Sequence, residues 1–115
     1  MAQRENRGQV ITADVIALMT ERIVDRFHPL KVVLFGSHAR GDAGPRSDID
    51  LLVVLPDPVA DKRRATVEIL RTLRDRTVPI DVVVTTPDEI ARRGDLVGTV
   101  LRPALREGKV LYERS

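Results

Sequence analysis

Hydrophobic residues recur along the chain with two different spacings, and these spacings predict a succession of helices and strands. Near the N-terminus, Val15, Met19, Ile23 and Phe27 stand four positions apart. Residues at this spacing share one face of a helix. The segment from Thr12 to Phe27 is therefore predicted to be an amphipathic helix, with Thr12 as its cap.

Helical spacing returns in residues 60–76. Over this stretch Val67, Leu70, Leu73 and Arg74 alternate with charged residues. The pattern predicts a second amphipathic helix that crosses back over a sheet.

The C-terminal third begins with the residues of a helix start. Thr86 is in the position of a cap and Pro87 in the first turn that follows it. An apolar stripe over residues 96–105 predicts more helix, but Pro103 lies inside the stripe and is expected to kink or interrupt it. Gly108 is predicted to end the segment.

Short apolar runs between the helical segments predict strands at residues 31–35, 48–55, 78–85 and 109–112. The first run is apolar on both faces, as in a buried central strand, whereas the last reads as a short edge strand. Helices and strands that alternate in this way predict an α/β or α+β fold, with helices flanking a small mixed β-sheet.

The length and composition limit the number of domains and the make-up of the core. A chain of 115 residues is expected to form one domain, residues 1–115, with a flexible start at residues 1–9. Hydrophobic residues make up 43% and aromatic residues 3%, so the core has to consist of aliphatic side chains. The sequence has no apolar run near the ~20 residues of a membrane span. It also has no secretory signal and no cysteine, a combination that favours a cytoplasmic protein.

The charge distribution gives no strong signal for nucleic-acid binding. The net charge is only +2, and the basic residues are spread along the chain rather than gathered in a patch. Basic pairs such as Arg63-Arg64 are interpreted as solvated helix faces.

The candidate chemistry lies between the first two predicted strands. Gly36-Ser37 directly follows the first strand, and ten residues later Asp48-Ile49-Asp50 opens the second. Side chains alternate across a strand, so Asp48 and Asp50 project from one face while Ile49 points into the core. Two neighbouring carboxylates repel each other unless a cation lies between them. Hard oxygen ligands in a pair suit Mg²⁺, which commonly binds together with nucleotide phosphates.

In this stretch the chain resembles the polymerase-beta-like nucleotidyltransferases, whose signature is Gly-Ser, ten residues, then Asp-x-Asp. Gly36, Ser37, Asp48 and Asp50 meet that spacing without a gap. The resemblance implies the nucleotidyltransferase fold, two bound Mg²⁺ ions ligated by the carboxylates, and ATP as the nucleotide donor.

The likeness extends to the smallest members of that family, the minimal nucleotidyltransferases. Arg40 and Ser47 match their longer signature, and a third carboxylate is expected on the next strand, where Asp81 stands. By resemblance, Asp48, Asp50 and Asp81 are the catalytic metal ligands, while Ser47 and Arg40 join the Gly36-Ser37 turn in binding the nucleotide. The planar fork of Arg40 suits phosphate oxygens.

The reaction implied is transfer of AMP from ATP to a hydroxyl group. Minimal nucleotidyltransferases of this size act as antitoxins that pair with a helical HEPN ribonuclease toxin and modify one of its tyrosines. The resemblance thus implies a protein adenylyltransferase, in a hetero-oligomer with its toxin.

Two other functions stay open at this point. One is a nucleotidyltransferase subunit that acts on a small molecule or an RNA end with a separate substrate-binding chain. The other is a non-catalytic antitoxin that masks its partner by contact alone, against which the repelling carboxylates argue.

Overall fold

The computed structural model of the protein describes residues 13–44, 48–73, 79–93 and 101–114. The elements in these ranges are, in chain order, α1 (Ala13–Phe27), β1 (Lys31–Phe35), α2 (Ser37–Arg40), β2 (Ile49–Val54), α3 (Lys62–Thr72), β3 (Ile80–Thr85), α4 (Pro87–Arg93), α5 (Leu101–Glu107) and β4 (Lys109–Glu113).

The four strands form one mixed sheet in the order β3-β2-β1-β4. β1 pairs antiparallel with β2 on one side and with β4 on the other, whereas β2 and β3 run parallel. A parallel pair requires a crossover connection, and α3 provides it between β2 and β3. The predicted small mixed sheet with flanking helices is confirmed, as are the central position of β1 and the edge position of β4.

One face of the sheet carries the larger apolar cluster. Ile49 and Leu51 of β2 are fully buried there, together with Met19 and Ile23 of α1 and Ile69 of α3. The predicted stripe of α1 is therefore correct. Two helices, α1 and α3, cover this face.

The opposite face carries a smaller cluster. Leu52 and Val54 pack there with Val33 of β1 and with Leu101 and Ala104 of α5. Because side chains alternate along β2, Asp50 projects from this second face, one pleat before Leu52. The second face is thus where the candidate chemistry can meet solvent.

The buried side of α3 differs from the prediction. Val67 is 45% exposed, whereas Ile69 is fully buried and Leu73 is 1% exposed. Residues four positions apart share a helix face, so Ile69 and Leu73 form the buried stripe and Val67 lies off it. The helix also begins later than expected, because the Asp61 side chain accepts a hydrogen bond from the Arg64 N–H and caps it.

Polar contacts tie α3 and α4 together beyond the C-terminal ends of β2 and β3. Lys62 Nζ donates to both carboxylate oxygens of Glu89, at 2.8 and 2.7 Å. The Thr85 hydroxyl donates to Glu89 Oε1 over 2.7 Å. The bond from Lys62 holds the pKa of Glu89 below its usual range; the Thr85 hydroxyl adds to this effect and desolvation opposes it. Thr86 caps α4 by accepting from the Glu89 N–H, as predicted.

Some predictions fall on residues outside the described ranges. These are the flexible start at residues 1–9, the Thr12 cap, the site residue Ser47, the end of the second predicted helix at residues 74–76, the strand start at residue 78 and residues 96–100 of the apolar stripe. Among the helices of the described ranges, none has the length and apolarity that crossing a membrane requires.

Candidate active site

The turn at Gly36 has a backbone conformation that only glycine adopts easily. Its φ is 76° and its ψ is −156°, and it caps α2 by accepting hydrogen bonds from the N–H groups of Ala39 and Arg40 through its carbonyl. A Cβ at Gly36 would overlap the carboxylate oxygen Oδ2 of Asp50 and lie 3.2 Å from its Cγ. The glycine therefore makes room for a carboxylate, a role that its place in the motif did not reveal.

Two of the predicted carboxylates face each other across the parallel strands. The register of β2 and β3 pairs Asp50 with Asp81, and on its other side Asp50 pairs with Phe35 of β1. Asp50 is half-buried, whereas Asp81 is exposed. Asp48 precedes β2 by one residue and is exposed. The strand begins at Ile49 rather than at Asp48, but the alternation still puts Asp48 on the side of Asp50.

The electrostatics of Asp50 reflect this crowding. Burial raises the pKa of Asp50 most, and the charges of Asp81 and Asp48 raise it further. His38 and Arg40 act in the opposite direction, since nearby positive charge favours the carboxylate form. Asp48 and Asp81 are thus both within electrostatic reach of Asp50, and the opposite effects of His38 and Arg40 do not offset the cost of ionising it.

The remaining predicted ligands lie on and around α2. Ser37 is half-buried at the first position of the helix, where backbone N–H groups lack helical partners. Arg40 is exposed at the last position, and its Nε donates to Asp42 Oδ2 over 3.3 Å. The structure therefore gathers Gly36, Asp50 and Arg40 at one end of the sheet.

Sequence reasoning assigned no role to His38, yet the structure places it beside the site. His38 is half-buried, and its charge lowers the pKa of Asp50. It also lines a groove of about 560 Å³ between α1 and β4, with Leu34 among the apolar lining residues. Only its position directly after Gly36-Ser37 could have drawn attention to it.

The three carboxylates form a candidate donor set for a divalent cation. Within the part of the chain that the structure describes, no three carboxylate or imidazole groups converge closely enough to form a finished metal site. The chemistry of the donors nevertheless fits, because Asp48, Asp50 and Asp81 are hard oxygen ligands that repel one another. A cation between them would offset this repulsion.

Two kinds of comparison with known proteins give matches. A family model described as a nucleotidyltransferase domain matches residues 18–108. Among solved structures, the chain is similar to a protein from Sulfolobus solfataricus assigned as a nucleotidyltransferase, with 22% identity over 88% of this chain and 79% of that chain, and a TM-score of 0.60.

Two further similar structures come from toxin–antitoxin pairs. A chain in a mutant of the pair MntA-HpeT is 23% identical over 92% of this chain and 76% of that chain, with a TM-score of 0.62. A chain of a toxin–antitoxin crystallised with AMP-PNP is 20% identical over 86% of this chain and 74% of that chain, with a TM-score of 0.53. None of the curated proteins matches the chain. At these identities the solved structures establish a shared fold.

Proposed function

Because the chain belongs to the nucleotidyltransferase domain family, we propose that it transfers AMP from ATP to a hydroxyl group of a partner protein. The observation that carries this proposal is the register of the parallel strands, which sets Asp50 beside Asp81 at the end of the loop that Gly36 opens. Neighbouring like charges that raise the cost of ionising Asp50 are unfavourable in a purely structural sheet end. Their presence together is understandable if a cation and a nucleotide bind there.

The nucleotide is proposed to bind along α2. Ser37 offers its N–H and its hydroxyl to the outer phosphates, and Arg40 offers a planar guanidinium to the same oxygens. Ser47 is assigned to this subsite from the motif alone. Gly36 serves the subsite indirectly, because its missing side chain lets Asp50 approach the loop.

The proposed transfer breaks the bond between the α-phosphorus and the oxygen that bridges to the β-phosphate. The acceptor oxygen forms a new bond to the same phosphorus, so that pyrophosphate leaves and AMP stays on the acceptor. Asp81 is the candidate base for the hydroxyl proton, because it is exposed to an incoming acceptor and neighbours Asp50.

Asp48 and Asp50 would hold two Mg²⁺ ions, and Asp81 would ligate the one nearer the acceptor. Bound there, the ions supply charge neutralisation for the attacking and leaving oxygens. The chain's own residues orient the triphosphate and take up the proton.

The partner is proposed to be a toxin of the HEPN type, with a tyrosine as the acceptor. Support comes from the resemblance to minimal nucleotidyltransferases and from the similar chains found in toxin–antitoxin structures, one of them with AMP-PNP. The hetero-oligomer would supply the acceptor surface, because no basic patch for an RNA acceptor stands out in the sequence.

Intact-mass spectrometry of the partner tests the transfer. After incubation with catalytic amounts of this protein, ATP and Mg²⁺, the partner should gain about 329 Da per adenylyl group, a mass fixed by attack at the α-phosphate. It should stay inactive after this protein is removed. No mass gain would contradict the proposal.

Masking by contact is the second candidate. It is favoured by the observation that no three metal-binding side chains converge in the described residues. A masking protein would neutralise its partner only at stoichiometric ratio, and Asp50→Asn would neutralise it equally well. Full neutralisation by that variant without any mass gain would replace transfer by masking.

A further inference from the structure

Asp42, in the loop that follows α2, contacts Arg40 at the end of that helix. Arg40 Nε donates to Asp42 Oδ2 over 3.3 Å, and the two side chains are 53% and 62% exposed. An ion pair this exposed contributes little to folding stability. Its significance therefore lies in where it puts the guanidinium group.

The backbone fixes Asp42 relative to α2. Gly41 has a left-handed φ of 86°, and the N–H groups of Gly41 and Asp42 both donate to the Ser37 carbonyl, at 3.0 and 3.1 Å. A Cβ at Gly41 would meet nothing within 4 Å, so the glycine is needed for its φ and not for space. The backbone of the helix C-cap thus places the Asp42 side chain next to Arg40.

The contact uses only one edge of the guanidinium. Asp42 binds Nε, and no hydrogen bond to another described residue engages the two terminal amino groups. Those two groups form the fork that matches a pair of phosphate oxygens. Arg40 is also within electrostatic range of Asp50, whose pKa it lowers.

We propose that Asp42 is a positioning residue, which holds Arg40 by Nε so that its terminal amino groups face the outer phosphates of ATP and do not fold onto Asp50. The inference rests on the proposed function. Without Asp42, Arg40 can turn toward the carboxylates of the sheet end, since it lies within electrostatic range of Asp50. An arginine that forms an ion pair with these carboxylates would compete with the cation and would no longer bind the phosphates.

The sign of the effect separates positioning from plain electrostatics. Removing a negative charge near a triphosphate should by itself tighten nucleotide binding, because repulsion falls. Loss of positioning should instead weaken binding. The two mechanisms thus predict opposite results for one substitution.

Calorimetric titration of the full chain with AMP-PNP and Mg²⁺ measures this sign. Asp42→Ala should raise the Kd about three- to fivefold, the limit expected for an exposed ion pair. Asp42→Asn keeps an acceptor oxygen for Nε and should restore most of the affinity. The melting temperature should not change in either variant. Asp88→Ala is the matched control, because it removes an exposed partner of Arg92, 3.0 Å away, on α4.

A second background removes Arg40 itself. In Arg40→Met, the further change Asp42→Ala should not weaken binding, because there is no guanidinium left to position. Equal weakening in both backgrounds, or unchanged or tighter binding by Asp42→Ala alone, would overturn the inference. If the wild-type chain failed to bind AMP-PNP, the proposed function would fall and this inference with it.

Discussion

The two ends of the parallel strand pair treat acidic side chains in opposite ways. At the ends where β2 and β3 begin, Asp50 lies beside Asp81, and burial and like charges raise its pKa. Beyond the ends where the strands finish, Glu89 receives hydrogen bonds from Lys62 and Thr85, which lower its pKa. The same sheet thus has one end at which ionisation is opposed and one at which it is favoured.

The difference teaches which end stabilises the fold and which is available for chemistry. A carboxylate with satisfied partners contributes to stability whenever it is ionised. A carboxylate whose neighbours repel it costs stability, and the cost is relieved only by a proton or a bound cation. Substitutions at the two ends should therefore have effects of opposite sign on stability, which makes the comparison open to experiment.

The largest effect, on transfer, is expected at the end of the strand pair where Asp50 and Asp81 lie. Asp50→Asn should lower the rate of transfer more than about a hundredfold. Loss of a residue that only hydrogen-bonds to a metal ligand costs up to about a hundredfold, and Asp50 is proposed to be a ligand itself. The melting temperature should be unchanged or higher at neutral pH, because a repelled charge has been removed. Since the pKa of Asp50 is raised in the folded state, this gain should vanish as the pH falls through that pKa. Thermal melts across pH, alongside an assay of transfer, measure both; transfer retained by the variant would break the comparison.

The next effect concerns the space that Gly36 leaves for Asp50. Gly36→Ala should lower the free energy of unfolding by at least about 2 kcal/mol, because its Cβ combines a strained φ with overlap of the Asp50 carboxylate. Gly41→Ala measures the cost of a left-handed helical φ alone, since its Cβ meets open space and its ψ is 10°, and it should cost about 1 kcal/mol. Urea unfolding of the two variants gives the difference. Equal losses would mean that the contact with Asp50 is unimportant.

A smaller effect on stability, opposite in sign to that of Asp50→Asn, is expected at the end of the strand pair where Glu89 lies. Glu89→Gln should lower stability at neutral pH by about 1 kcal/mol, the usual net value of such a hydrogen-bonded group. Because the folded-state pKa of Glu89 is lowered, the wild-type advantage should be present above the usual glutamate range and be lost as the pH falls through the lowered pKa. Thermal melts at several pH values test this. Glu68→Gln, which removes an exposed partner of Arg64 at 3.6 Å, should change little.

The smallest effect is expected at His28, close to the end where β2 finishes, since Leu30 donates its N–H to the Val54 carbonyl there. His28 follows α1 and has a left-handed φ of 50°, a conformation that favours glycine. His28→Gly should raise the free energy of unfolding by about 0.5–1 kcal/mol, because relief of about 1–2 kcal/mol of left-handed strain exceeds the entropy that glycine adds to the unfolded chain. Transfer should be unaffected. A lower melting temperature would show that the side chain contributes more than the strain costs.

Much of this molecule follows from local patterns in the sequence. The four-residue spacing in α1 predicts a buried stripe, and Met19 and Ile23 are indeed fully buried. The alternation in β2 predicts that Ile49 points inward while Asp50 does not, and the burial agrees. The prediction fails for Val67 in α3, because in a helix with few apolar residues tertiary packing decides which side is buried.

The sequence by itself determined the elements, the glycine turn and two acidic side chains on one face, because each depends on residues close together in the chain. Only the tertiary structure decided that Asp81 lies beside Asp50, since the register of parallel strands is set by a crossover and by packing on both faces. It also decided that Gly36 makes room for Asp50 and that Glu89 meets Lys62, which is 27 positions away. Such contacts follow from long-range packing, which no local spacing encodes.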